Sequence, residues 1–210
     1  MAELMLHDYE LDEQCYKVRL LLGVLARRYR RVSVDVYPGR EQCGARYLRL
    51  NPLGALPILT EGEFVLYGAE AILAYLARKY DPSRSWLPDE PALFGEVAQW
   101  LAFAGIELRA ASLARLRALL ETGTGDSDNV GAARRAFRLM DDHMTKRELD
   151  DARWFVGNAA TIADIAMFPA IALSRDFGVD HDEYPALRRW MANVRTIPGF
   201  ATMPGIPAYH

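Results

Sequence analysis

The sequence predicts an α/β unit of about 80 residues followed by an all-helical unit, and three observations carry that reading. The first part orders its apolar runs as strand, helix, strand, strand, strand, helix. Asp81 to Pro91 is rich in Pro, Ser and Asp and reads as a linker. Nearly everything beyond it has the spacing of helices.

Leu4 to Tyr9 reads as a short strand. Val18, Leu21, Leu22 and Leu25 then recur at helical spacing, predicting a helix over Glu13 to Arg27 with Asp12 placed to cap it. The alternation from Arg31 to Val36 reads as a second strand, which makes strand–helix–strand a parallel unit. Asn51-Pro52-Leu53-Gly54 marks a turn, and Leu56 to Leu59 begins a third strand. Glu61-Gly62-Glu63 is a hairpin turn leading into Phe64 to Leu66. Ala69 to Tyr80 reads as helix, with Ile72, Leu73 and Leu76 on one side and Asp81-Pro82 closing it. Four further helices are expected, from Ala92 to Leu120, Asn129 to Glu148, Thr161 to Phe177 and Pro185 to Arg195, with a polar break at Gly123 to Asp128. Thr161 and Asp164 have the spacing of a capping box. The expected units are therefore 1–80, a linker at 81–91, and 92–210.

Bulk properties narrow the function. Hydrophobic residues make up 51% of the 210, enough for a sizeable core. The net charge of −3 gives no support to nucleic-acid binding. No apolar run is long enough to span a membrane, and the acidic start Met1-Ala2-Glu3 is unlike a secretory leader. Two cysteines without an oxidised-scaffold pattern fit a cytoplasmic, reduced setting. No Cys-x-x-Cys pair and no Gly-rich phosphate loop is present, and His7, His143, His181 and His210 lack zinc spacing, so no metal is expected. His181-Asp182 and Asp141-Asp142-His143 come nearest to a metal pattern.

Four segments in order carry a family resemblance: Cys15-Tyr16-Lys17-Val18-Arg19-Leu20-Leu21-Leu22, Asn51 to Leu59, Ala71 to Leu76, and Thr161 to Ala166. Together they span essentially the whole chain, which resembles the glutathione S-transferase superfamily. The resemblance implies a thioredoxin-like α/β N-terminal domain with the thiol-donor site, an all-α C-terminal domain receiving the acceptor, and a homodimer. It also implies a cis Pro57, with the backbone of Leu56 pairing with the cysteinyl part of glutathione.

Three positions depart from the family pattern or bear on its chemistry. Where relatives carry an acid followed by Ser or Thr after the fourth strand, this chain has Gly68 and Ala69. Helix-end amides there still suit a carboxylate, but the ligand amine loses its counter-charge, worth about 2–5 kcal/mol. Glu70 compensates only if it turns inward. Asp12 stands where many relatives place a serine, and it reads as a helix cap, as a base toward substrate, or as a group orienting a donor amine. Cys15, in the first turns of a helix whose dipole favours a thiolate, reads as a nucleophile or as a packed thiol. Cys43 reads as incidental.

By the same resemblance the acceptor pocket is expected at Tyr9, Phe103 and Glu107, near Trp100 and Arg109. Lys17 and Arg19 read as steering groups or as residues facing water. The tail from Phe200 to His210 covers either the pocket or the helices. The resulting expectation is an enzyme joining glutathione, or another cysteine-derived thiol, to a small hydrophobic electrophile, with a specialised biosynthetic pathway as one setting. A binding protein that kept the fold and lost the site, and a thiol-dependent isomerase or ether-cleaving lyase, are the alternatives.

Overall fold

The computed structural model describes residues 2–120 and 127–206. Most of the expected break at Gly123 to Asp128, and the last four residues of the tail, lie outside them.

Four short strands form one sheet: β1 (Leu4–Asp8), β2 (Arg30–Ser33), β3 (Ile58–Glu61) and β4 (Phe64–Tyr67). Their order is β2-β1-β3-β4. β1 and β2 are parallel, as the crossover through α1 (Glu13–Val24) requires. β3 and β4 are a hairpin closed at Gly62, whose φ of +62° suits glycine. Between β2 and β3 the chain makes a short helix, α2 (Ala45–Leu48), in what the sequence shows only as a polar connection. Asn51 is buried there, its amide donating to the Ala55 carbonyl at 2.8 Å and its oxygen accepting the Leu53 amide at 3.0 Å. This local pair shapes the approach to Leu56–Pro57, a cis peptide bond as the resemblance implies.

The helix α3 (Ala69–Tyr80) packs beside α1, and its Ile72, Leu73, Leu76 and Ala77 join the main core. The second part holds α4 (Pro91–Ile106), α5 (Arg109–Leu120), α6 (Ser127–Leu149), α7 (Ile162–Ala172) and α8 (Pro185–Arg195). Every residue of α7 is buried, and it contacts α1, α3, α4 and α8, so one core runs through both parts. Its start is closed by the expected capping box. Asp164 accepts the Thr161 amide at 2.9 Å, and also the Phe155 amide at 3.1 Å and the Trp190 indole at 2.9 Å.

Several boundaries differ from expectation. The helix expected over Ala92 to Leu120 is two helices, broken at Glu107–Leu108. The Phe103 carbonyl accepts both the Glu107 amide (2.8 Å) and the Leu108 amide (3.3 Å), and Gly105 lies in this last turn. The break turns Leu108 inward and leaves Ile106 70% exposed. α1 stops at Val24 rather than Arg27, because Ala26 has a φ of +48°. β2 ends at Ser33, β3 begins two residues after Leu56, and the run to Phe177 finishes as a 3-10 turn over Ser174–Phe177. The described part of the tail lies over the helices: Phe200 packs edge-on against Phe168, and the Tyr16 hydroxyl donates to the Ala201 carbonyl at 2.7 Å. No helix among the described residues is long and apolar enough to cross a membrane.

Candidate active site

A cleft of about 430 Å³ opens where the first turn of α1, the head of α3 and one face of α5 meet. Leu11, Leu113, Leu116 and Leu119 supply an apolar wall, and Asp12, Glu13, Glu70, Arg109 and Arg115 bring charge to it. Tyr9, Ala55 and Val36 close it on the sheet side.

Asp12 is first of all a helix cap. Its Oδ1 accepts the amides of Gln14 (2.7 Å) and Cys15 (2.9 Å), satisfying donors that a helix start leaves open. Burial raises its pKa above the ordinary 3.8, although those two bonds and Arg19 pull the other way. The same carboxyl lines the cleft, so the cap and the base readings coexist in one side chain.

Cys15 does not fit the nucleophile reading. It is wholly buried, and it is absent from the cleft lining. Burial pushes its thiol well above the ordinary 9.0, and the carboxylates of Asp12 and Asp8 push the same way. The expected gain from the helix dipole is overridden by desolvation. Cys43 is exposed, and both thiols are free.

Lys17 and Arg19 do not face water. Lys17 is 1% exposed and donates to Glu70 Oε1 at 2.8 Å. Arg19 is bonded to buried Asp8, which also takes Arg31. Glu70 is therefore turned inward, held from below by a buried ammonium, and it lines the cleft. Gly68 and Ala69 stand beside it at the head of α3, where no side chain caps the free amides. Gly68 has a φ of +88° and open space where a Cβ would be, so an acidic residue there meets backbone strain rather than crowding. Leu56 is half-buried next to cleft-lining Ala55.

Two expected acceptor-pocket residues are misplaced. Phe103 packs edge-on against Trp100, 5.2 Å between ring centroids, and Glu107 is exposed. Neither lines the cleft; Ala104 and Gly105 do. Ala104 follows Phe103 by one residue, about 100° of helical rotation. Tyr9 lines the cleft.

Four cleft-floor residues escaped the sequence reading. Glu13 is buried, accepting the Ser112 hydroxyl and the Gln14 amide (3.2 Å) at Oε1. Burial raises its pKa above the ordinary 4.5, against Lys17, Ser112 and Arg115. Arg115, also buried, donates to Asp176 at 2.7 Å and to the Leu11 carbonyl. The only sequence signal for this group is the polar run Asp12-Glu13-Gln14 at the opening of an apolar helix. Away from the cleft, Asp180, His181 and Asp182 lie close enough to share a cation, but Arg175 already bonds Asp180 (2.8 Å) and Asp182 (3.0 Å).

Comparison with known proteins finds relatives of this chain and of its fold. Residues 6–84 match the model of the glutathione S-transferase N-terminal domain, and residues 128–198 match that of the C-terminal domain. The chain is 29% identical over 202 residues to glutathione S-transferase GstB of Escherichia coli K12, covering 91% of this chain and 92% of that protein. Its structure is similar to glutathione S-transferase from Pseudomonas fluorescens Pf-5, with a TM-score of 0.87, 25% identity, and coverage of 96% and 98%. It is also similar to a glutathione transferase homologue from Drosophila mojavensis with bound glutathione, at a TM-score of 0.82, 26% identity, and coverage of 94% and 90%.

Proposed function

The chain belongs to the glutathione S-transferase family, and on that premise we propose that it joins the thiol of glutathione to a small apolar electrophile held in the cleft between α1, α3 and α5. The observation that carries this reading is the inward Glu70. It supplies, two residues beyond Gly68, the negative charge that Gly68 and Ala69 lack. The open amides at the head of α3 suit the γ-glutamyl carboxylate, and Glu70 suits the neighbouring amine. The backbone of Leu56 pairs with the cysteinyl part, which leaves the sulfur at the cleft.

Asp12 serves as the proton acceptor in this account. Its raised pKa brings it nearer to the thiol it must deprotonate. As the proton passes to Asp12, the carboxyl becomes neutral and no longer repels the forming thiolate. The thiolate attacks the electrophilic carbon, a carbon–sulfur bond forms, and the leaving group departs with its electron pair. The leucines of α5 hold the acceptor by apolar contact. We place the enzyme in the cytoplasm, where Cys15 and Cys43 stay reduced. A homodimer is part of the reading, supported by exposed Phe64 and Phe94.

A conjugation assay tests the proposal: chlorodinitrobenzene with glutathione or with cysteine, each with and without the protein. A protein-dependent rate that is greater with glutathione supports it. A rate with cysteine alone removes glutathione as the donor, and no rate above buffer with either thiol removes the transferase reading for this electrophile class.

A further inference from the structure

We infer that the cleft holds its acceptor through a protonated amine, received by the carboxylate of Glu13, on an apolar body that lies along α5. The inference rests on this cleft being the acceptor site, and it does not depend on which thiol is the donor.

The first observation is an incomplete hydrogen-bond set. Glu13 is 5% exposed and lines the cleft, its Oε1 takes both Ser112 and Gln14, and its Oε2 is buried with no partner. A buried carboxylate oxygen without a donor is unfavourable, and a ligand N–H relieves it.

The second observation is the balance of committed and uncommitted charge. Lys17 from α1 is bonded to Glu70. Arg115 from α5 is bonded to Asp176 and to the Leu11 carbonyl. Arg109 stands exposed at the rim. Against these cations the cleft presents Asp12, Glu13 and Glu70, and only Asp12 has an oxygen committed to helix amides. The buried floor thus offers carboxylate oxygens and no free cation among the described residues. An anionic head meets these acids there, with Arg109 its sole free counter-charge among the described residues, whereas an ammonium meets complementary acceptors.

The third observation is the shape of the wall. Leu113, Leu116 and Leu119 recur along one face of α5 beside this floor, and each is more than a third exposed. An alkyl or aryl body a few carbons long covers them while its head reaches Glu13.

The test compares n-octylammonium with octanoate by calorimetric titration of the whole protein at about pH 8, where the amine remains charged. Octylammonium is expected to bind at least about tenfold more tightly than octanoate, and the ratio to fall to about threefold or less in Glu13→Gln. Ser112→Ala, which strips a donor from Oε1 and keeps the carboxylate, and Glu70→Gln, which leaves Glu13 intact, are expected to retain the preference. If Glu13→Gln fails to fold, Glu13→Ala is read in its place. Equal or reversed affinity in the native protein, a preference surviving in a folded Glu13 variant, or a preference lost in Glu70→Gln overturns the inference. A parallel glutathione titration separates the two readings: ammonium preference without glutathione binding overturns the thiol reading alone, and the reverse pattern overturns this one alone.

Discussion

Asp12 and Cys15 meet through the backbone: the Asp12 carboxylate accepts the Cys15 amide at 2.9 Å, while the Cys15 thiol points into the core. The two residues that the sequence offers separately as catalytic candidates are thus a helix cap and a packed thiol, with Asp12 alone reaching the cleft.

That division separates two substitutions at position 12. Asparagine caps about as well as aspartate, so Asp12→Asn keeps the fold, whereas Asp12→Ala loses about 1 kcal/mol. As the proton acceptor, Asp12 contributes about 10²–10⁴ to turnover. Asp12→Asn is therefore expected to lower kcat by that order with KM for glutathione little changed, read by steady-state kinetics beside a thermal melt. A variant with normal kcat assigns Asp12 to capping only.

The thiols differ in the same way. Cys43 is exposed and Cys15 is buried, with its thiol pushed well above 9.0 by burial and by Asp12 and Asp8. An aromatic disulfide reagent is expected to modify one thiol promptly in the native protein and the second only on unfolding. Cys43→Ser removes the prompt phase. Prompt labelling of Cys15 contradicts the buried placement.

Asp164 ties three segments together by accepting from Thr161, Phe155 and Trp190. Asp164→Ala strands those donors in the core and is expected to cost about 3–5 kcal/mol, measured by denaturant unfolding. A loss below about 1 kcal/mol shows that the donors find other acceptors.

Asp81 sets an acid limit. Burial raises its pKa, but bonds from Ser83, Trp86 and Ser85 outweigh this and hold it below the ordinary 3.8. A depressed carboxyl binds fewer protons when folded, so its contribution is present at neutral pH and is lost as pH falls below about 4. Asp81→Asn is expected to lose about 1–2 kcal/mol at neutral pH and to converge with the native protein in acid. Curves that stay parallel throughout the acid range contradict the assignment.

Much of this fold is legible because its signals are local. The spacing of Val18, Leu21 and Leu22 and the Thr161–Asp164 box depend only on near neighbours, and the structure reproduces them. The cleft depends on what closes over α1. Lys17 looks like a surface lysine until α3 brings Glu70 to 2.8 Å from it, and Glu13 looks solvated until α5 lays Ser112 across it. The family resemblance points to Phe103 and Glu107 for the acceptor pocket, and helical spacing shows that they share a face but not where that face points. The phase that sends Ala104 and Gly105 into the cleft is set by tertiary packing.

The central claim is that glutathione binds beside a site without the acid–hydroxyl pair, with Glu70 and the head of α3 in its place. Calorimetric titration of the purified protein with glutathione tests it most directly. Loss of one charged contact costs about 2–5 kcal/mol, which takes a micromolar ligand to a Kd of about 0.03–5 mM. The account predicts saturable binding at the tighter end of that range, weakened by Glu70→Gln. No heat of binding up to about 10 mM glutathione, in a protein that still melts cooperatively, would contradict it.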